Sequence, residues 1–477
     1  MNELGGDTQF DFTYAPGTAI EQIIGFEMAG AIWSSYLQDD VTVRIYVETS
    51  NELPEEVVGA ALSGKQEKAK YNELREIMFE DITSSDDFSA FNNLPSTEKE
   101  FSILIDGVEL DKTKEFKLNN ANAKALGLLE KDDPKKLDGY ILVNDFTGNS
   151  AVGWDYDALR SGNIEDNNID LVSVAMHEIG HVLGFVSGID DSGWLKVLNK
   201  SRDKGKDPKD QDFKFASPLD LYRYSDYSAA WGKIDLSVGG DPFFSIDGGD
   251  TRLGNFANGE YERFGGDGYQ ASHWQQDSSQ GIMNPILPVG ERRDISALDL
   301  KAMDVIGWDV DASATLDWNN IYSYAVAQSE EAVLEDRSKD IEKMMREIGD
   351  YNVRRTRSSG SNYWIFWQFN TLSPLDTSEA VDEVDGNTYS DGDSFNEFAT
   401  ESELEPNTVT DLESEENDKL ENDDESLTPS NDNLGVTEAS PDGAKEDPLL
   451  SGGLSAQTEN NSLENSALTP DLLVAPL

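Results

Sequence analysis

The stretch Val174-Ala-Met-His-Glu-Ile-Gly-His-Val-Leu-Gly184 constrains the fold more than any other part of the chain. It sets His177 and His181 four residues apart, with Glu178 beside the first. On a helix, positions i and i+4 lie one above the other on the same face. Two imidazoles so placed can hold one zinc ion, and the adjacent carboxylate can reach a water on it. Hydrolytic zinc chemistry asks for neutral nitrogen ligands, an open coordination position and a base for the water's proton. The 477 residues include only three histidines, and the third is His273, in Gln270-Ala-Ser-His-Trp274. A catalytic zinc site takes three protein ligands and a water, so the histidines suffice for one site. On the residues alone the third ligand stays open between His273 and a downstream carboxylate such as Glu260, Glu262 or Glu291.

The spacing predicts a metal-bearing helix over 169–183, with Ile169, Val172, Ala175 and Met176 on its buried face. The cluster Glu165-Asp-Asn-Asn168 is expected to cap its start, and Gly184 to end it in a left-handed turn. Ile20, Ile23, Ile24, Ala31, Ile32 and Tyr36 recur at helical spacing over 18–37. Val41 to Val47 then alternates as a half-buried strand. A second helix is expected at 66–79, and strands at 101–106 and 139–143. Asn149 to Gly162 reads as loop. Residues 188–264 read as a long, mostly polar insertion, with a surface loop at 200–214 and short strands at Leu219–Tyr224 and Phe243–Asp247. Gly265 to Gly268 forms a turn leading to His273. A helix from Ser296 to Ile306 has capping-box spacing between Ser296 and Asp299, and Gly307 to stop it. A charged helical pattern covers 316–348, and Tyr363 to Trp367 is a short aromatic run.

Charge sets the partners. The chain carries 94 acidic and 37 basic residues, a net charge of -57. Nucleic-acid binding and adhesion to anionic membranes both need Lys and Arg at the contact, so neither is expected. No segment reaches the ~18 apolar residues of a membrane span. There is no cysteine, which excludes disulfides and thiolate zinc sites. Residues 371–477 hold 28 Asp and Glu against two Lys. That composition cannot bury enough surface to offset the entropy of ordering, so a disordered acidic tail is expected. The acidic loops Asp207–Asp212 and Asp247–Asp250 are candidate Ca2+ ligands, although neither has EF-hand spacing. Met1 to Asp7 lacks a basic region followed by an apolar core, so no signal peptide is expected in the chain as written.

His177-Glu-x-x-His181-x-x-Gly184 resembles the metzincin clan of zinc peptidases. That clan usually continues to a third His at a position occupied here by Ser187. Leishmanolysin-like metzincins instead place an insertion there, then show His-Trp and a methionine turn, as His273-Trp274 and Ile282-Met283-Asn284-Pro285 do here. The wider pattern is similar to a bacterial family of secreted metalloproteases of this type. It is carried by Phe26-Glu27, Ile32-Trp-Ser-Ser35, Leu219 to Arg223, Ser245 to Gly249, Ser272 to Trp274 and Ala297 to Trp308, within roughly residues 8–310. The resemblance implies His273 as third ligand, Met283 as the turn methionine beneath the zinc, and an extracellular location. With Pro285 two residues after Met283, no tyrosine ligand is expected. No sorting anchor is expected in Leu472 to Leu477.

The fold class this implies is α+β: a twisted mixed sheet, a long active-site helix, a methionine turn and a C-terminal helix. The expected organisation is an N-terminal subdomain over 1–186, an insertion with a C-terminal subdomain over 187–312, a helical extension over 313–370, and the tail over 371–477. The expected activity is that of a zinc-dependent endopeptidase acting on protein or peptide substrates, with Glu178 as general base. The alternatives are a non-catalytic zinc-binding surface or matrix protein on this scaffold, and a zinc hydrolase with a non-peptide substrate.

Overall fold

The computed structural model describes residues 6–334, except 51–52, 54–56, 64–66, 112–114, 134–135, 147–151, 190–197, 200–204, 206, 210–215 and 277–279, and also the backbone of Ile365–Gln368. The tail read over 371–477, the helical pattern beyond 334 and most of the 200–214 loop lie outside the described residues.

The architecture is mixed α and β, with several small sheets and eight described helices. The chain runs β1 (Gln9–Tyr14), α1 (Ile20–Tyr36), β2 (Thr42–Ser50), β3 (Val57–Ser63), β4 (Glu67–Lys70), α2 (Tyr71–Glu80) and α3 (Ser85–Asn93). It continues through β5 (Ile103–Ile105), β6 (Val108–Leu110), β7 (Glu115–Leu118), α4 (Asn120–Ala125), β8 (Gly139–Asn144), β9 (Gly153–Asp155), β10 (Asn168–Asp170) and α5 (Leu171–Leu183). After a 3-10 turn at Leu219–Tyr222 come β11 (Arg223–Tyr224), α6 (Asp226–Ala229), β12 (Ile234–Asp235), β13 (Phe243–Phe244) and β14 (Gly254–Asn255). A second 3-10 turn at Glu262–Phe264, α7 (Ala297–Val305), α8 (Trp318–Leu334) and β15 (Ile365–Gln368) complete it.

The largest sheet has the order β1-β2-β8-β3-β15. β1, β2 and β8 run parallel, β3 runs antiparallel to β8, and β15 runs antiparallel to β3. Parallel pairing of β1 and β2 needs a crossover, which α1 supplies. α1 and α5 pack against each other, α5 also meets β3 and β8, and α8 lies along α1. The apolar core is continuous from Phe12 in β1 to Ala325 in α8.

Three expectations change. The helix expected from 66 starts at Tyr71, because Glu67–Lys70 pairs with β7 instead. The strand expected at Leu219–Tyr224 begins as a 3-10 turn and is extended only at Arg223–Tyr224. The insertion is less polar inside than its composition implies: Leu221, Tyr222, Phe243, Phe244 and Phe256 are buried. Among the described residues, no helix is long and apolar enough to cross a membrane.

An acidic knot ties α1, α2, α3 and α7 together. Ser84 Oγ donates to Asp304 at 2.6 Å, Thr83 Oγ1 to Asp309 at 2.6 Å, and the Asp309 amide to Asp39 at 2.8 Å. Burial pushes the carboxyl of Asp39 up to about 7, of Asp304 to about 7 and of Asp81 to about 8. These groups hold protons in the fold that the unfolded chain, at 3.8, has already released. Their contribution is therefore present at low pH and lost as pH rises through 7–8. Tm is expected to fall, on the order of 2 °C or more, between pH 6.5 and 8.5. Asp81→Asn should flatten that fall. A Tm that rises over this window in thermal denaturation would remove the argument.

Candidate metal centre

The site is built on α5, and every residue of this helix is buried. Ile179, Val182, Leu183, Leu171 and Val174 are each wholly enclosed. Each such side chain contributes about 1.5–3 kcal/mol relative to exposure. That offsets the cost of carrying Ser173, His177, Glu178 and His181 into the same interior. The expected buried face of Ile169, Val172, Ala175 and Met176 is thus one side of a helix with no exposed side.

Both ends of the helix are satisfied. The cap is Asp170 rather than the 165–168 cluster, because Asn168–Asp170 forms a short parallel pair with β9. Asp170 Oδ2 accepts from the Ser173 amide at 2.9 Å. Arg160 Nη2 lies 3.1 Å from the same oxygen and also donates to Arg293 O at 2.9 Å. At the far end Gly184 has φ +124°, a conformation that favours glycine. The turn lets the Phe185 amide donate to Gly180 O at 3.0 Å. The last carbonyls of a helix lack partners within it. Here Asn119 Nδ2 donates to His181 O at 2.8 Å, and Trp308 Nε1 to Leu183 O at 2.9 Å. Trp33 Nε1 donates to Met176 O at 2.9 Å. The two tryptophans of the Ile32-Trp-Ser-Ser and Ile-Gly-Trp308 segments therefore both anchor this helix.

His177, His181 and His273 come together, with one ligand atom of each lying within 4.8 Å of the others. His181 Nε2 is 3.0 Å from His177 Nε2 and 3.2 Å from His273 Nε2. The opposite ring nitrogens face backbone carbonyls. His177 Nδ1 is 2.7 Å from Ile282 O, His181 Nδ1 is 2.8 Å from Phe185 O, and His273 Nδ1 is 3.1 Å from Gln270 O. A carbonyl only accepts, so each Nδ1 carries the proton and donates. Each neutral ring then presents a bare Nε2 lone pair to the other two. Burial holds His177 and His181 well below the usual histidine range, and lowers His273 to about 4. Protons therefore do not fill the gap. Three converging lone pairs repel unless a cation lies between them, and tetrahedral zinc at about 2.0–2.1 Å would space its nitrogens by about 3.3 Å. The residues fit a metal ion.

Glu178 is fully buried, and neither carboxylate oxygen has a hydrogen-bond partner. Burial pushes its carboxyl well above the usual range. Gly59 of β3 leaves it room: a Cβ there would sit 2.6 Å from Glu178 Oε1. An unpartnered carboxyl beside three bare imidazole nitrogens can hold a proton taken from a water and give it up again.

The loop that brings in the third histidine is fixed from several sides. The Ser187 amide donates to Ser272 Oγ at 2.9 Å, and Ser187 Oγ donates to Asp220 at 2.6 Å. Ser187 thus ties the chain leaving α5 to the turn carrying His273. The Ala257 amide donates to His273 O at 2.9 Å. The Trp274 amide donates to Met283 O at 2.9 Å. Met283 is buried under α5, and a Cβ on Gly180 would stand 2.5 Å from its sulfur. Asp299 of α7 holds this turn. It accepts from Trp274 Nε1 at 2.7 Å, the Ile282 amide at 2.9 Å and the Ser296 amide at 2.7 Å.

None of Glu260, Glu262 and Glu291 joins the cluster; among the described residues the three histidines are the group placed to share a metal ion. The Asp247–Asp250 loop forms no such group, because Asp247 Oδ1 accepts from Ser245 Oγ at 2.7 Å and the Thr251 amide at 2.8 Å. Half of the Asp207–Asp212 loop, residues 210–212, lies outside the described residues. Sequence reasoning missed Arg160, Gly59, Gly180 and the double role of Asp299. Only Asp299 left a signal, as the N3 partner of Ser296 in a capping box. No family model, curated protein or solved structure matches the chain.

Proposed function

We propose that the chain is a zinc-dependent endopeptidase of metzincin-like type. The observation that carries this reading is the convergence of three bare, buried imidazole Nε2 atoms beside the unpartnered carboxyl of Glu178. An all-imidazole set of three suits zinc, and leaves a fourth position open. When bound, zinc supplies a Lewis acid that polarises a carbonyl and lowers the pKa of a water. Glu178 accepts the proton of the attacking water and delivers it to the leaving amine. Water is the nucleophile, so no covalent enzyme intermediate forms. Burial of the site excludes bulk water, which strengthens each electrostatic contact within it.

Support for a peptide substrate comes from β3. This strand passes over Glu178 at Gly59, and the backbone donors and acceptors on its side away from β8, which β15 pairs with, would be open to a peptide once β15 leaves. An extended peptide adds to such an edge through main-chain hydrogen bonds, whatever its side chains. The resemblance to secreted metalloproteases supports the same reading and an extracellular setting.

The test is metal content together with cleavage of an unfolded protein. One zinc per chain, lost in His273→Ala, is the expected result. Cleavage should stop with a chelator and return with added zinc. A zinc-loaded chain that leaves unfolded protein intact, even after β15 is unpaired as described below, would sink the reading.

A further inference from the structure

We infer that the strand Ile365–Gln368 occupies the substrate edge of β3, so that the chain blocks its own cleft. The inference rests on the peptidase reading and adds a regulatory contact to it. The sheet would otherwise end at β3 on this side. β15 pairs antiparallel to it, with Ile365 opposite Ala61, Phe366 opposite Ala60 and Trp367 opposite Gly59. Gly59 is the residue whose Cβ would meet Glu178 Oε1 at 2.6 Å. The register therefore lays the backbone of β15 beside the proton-transferring carboxyl, and β15 also lies against α5. A peptide entering to pair with β3 meets main-chain groups that are already satisfied.

Tethering makes a weak strand sufficient. A segment held on the same chain acts at an effective concentration on the order of mM. With an intrinsic affinity of only ~0.1 mM it stays docked about nine tenths of the time, so the open fraction falls roughly tenfold. Substrates must displace it, which favours long unfolded chains that pair along all of β3 over short peptides. A four-residue strand is also short enough to be displaced, which a permanent part of the sheet would not need to be.

The experiment uses the full chain carrying Phe366→Pro and Trp367→Pro together. Alternate residues of a strand turn their N–H groups to opposite sides, so one of the two prolines removes a donor aimed at β3. Expected are faster amide exchange across Val58–Ala61, an unchanged zinc content, and cleavage of unfolded protein roughly tenfold faster or more. As a second route, a recognition site for a sequence-specific protease is inserted between Arg357 and Ser361, ahead of β15 in the chain, and the protein is treated with that protease until cutting is complete. Cutting should give the same rise in rate. Unchanged exchange across β3, or equal non-zero rates with β3 freed, would overturn the inference and leave the peptidase reading standing. Zinc-loaded chains that stay inert with β3 freed would overturn the peptidase reading, and the block with it.

Discussion

Glu178→Gln is expected to lower kcat/KM on an unfolded protein by roughly 10²–10⁴-fold, the share of catalysis a positioned base supplies. The metal content should not change, because the carboxyl is not among the three ligands. Glutamine has the same shape but accepts no proton from water. The packing against Gly59 is kept, so folding is not the variable. The contrast with a ligand is the informative part. His273→Ala should lose both metal and activity, and Glu178→Gln activity alone. Retention of more than about a tenth of the parent rate would mean that the proton goes elsewhere, against the assigned role.

Asp299→Ala is expected to have the largest effect on stability, about 3–5 kcal/mol. It strips the acceptor from the buried Trp274 Nε1 and from the amides of Ile282 and Ser296. Hydrogen bonds to a charged group are worth about 1.5–3 kcal/mol each, and a donor left buried without a partner costs about 1–3 kcal/mol. The effect should reach the metal as well. Ile282 supplies the carbonyl that fixes the tautomer of His177, and Trp274 follows His273 directly. Zinc affinity is therefore expected to drop about 10–100-fold, as when an outer partner of a ligand is removed. Chemical denaturation and competition with a chromophoric chelator read the two effects separately. An unfolding free energy within about 0.5 kcal/mol of the parent would contradict this placement of Asp299.

What could be read from the sequence was local. The i, i+4 histidines, the glycine at 184 and the Ser296–Asp299 box each carry their geometry within a few residues, and each takes the form expected. α1 and β8 were visible because each is a dense apolar run, although α1 proves buried on nearly every side rather than on the one face its spacing suggested. The approach of His273 to His177 and His181 has no local signature. It depends on Ser187, Asp220 and Ser272 closing the insertion, and the resemblance, not the pattern of residues, pointed to it. The cap of α5 was misplaced because Asn168–Asp170 joins a neighbouring strand, a choice fixed by tertiary pairing. Gly59 reads as an ordinary strand residue until the structure places it against Glu178. The polar look of 188–264 misled because Tyr222, Tyr224, Phe243, Phe244 and Phe256 turn inward between its charged positions, while Tyr227 and Trp231 stay exposed.

The enclosure of α5 limits how the site can be altered. A helix with one face in water can accept substitutions on that face and drift without disturbing its contacts. Leu171–Leu183 has no such face: every position is buried, and the helix packs against α1, α4, β3, β8 and β15. On the proposed peptidase reading, variation in what is cleaved would therefore arise in the segments that surround the helix, above all the long stretch between Gly184 and His273. For anyone seeking new specificities by directed evolution, that stretch is the place to diversify, and the thirteen residues of α5 are best held constant.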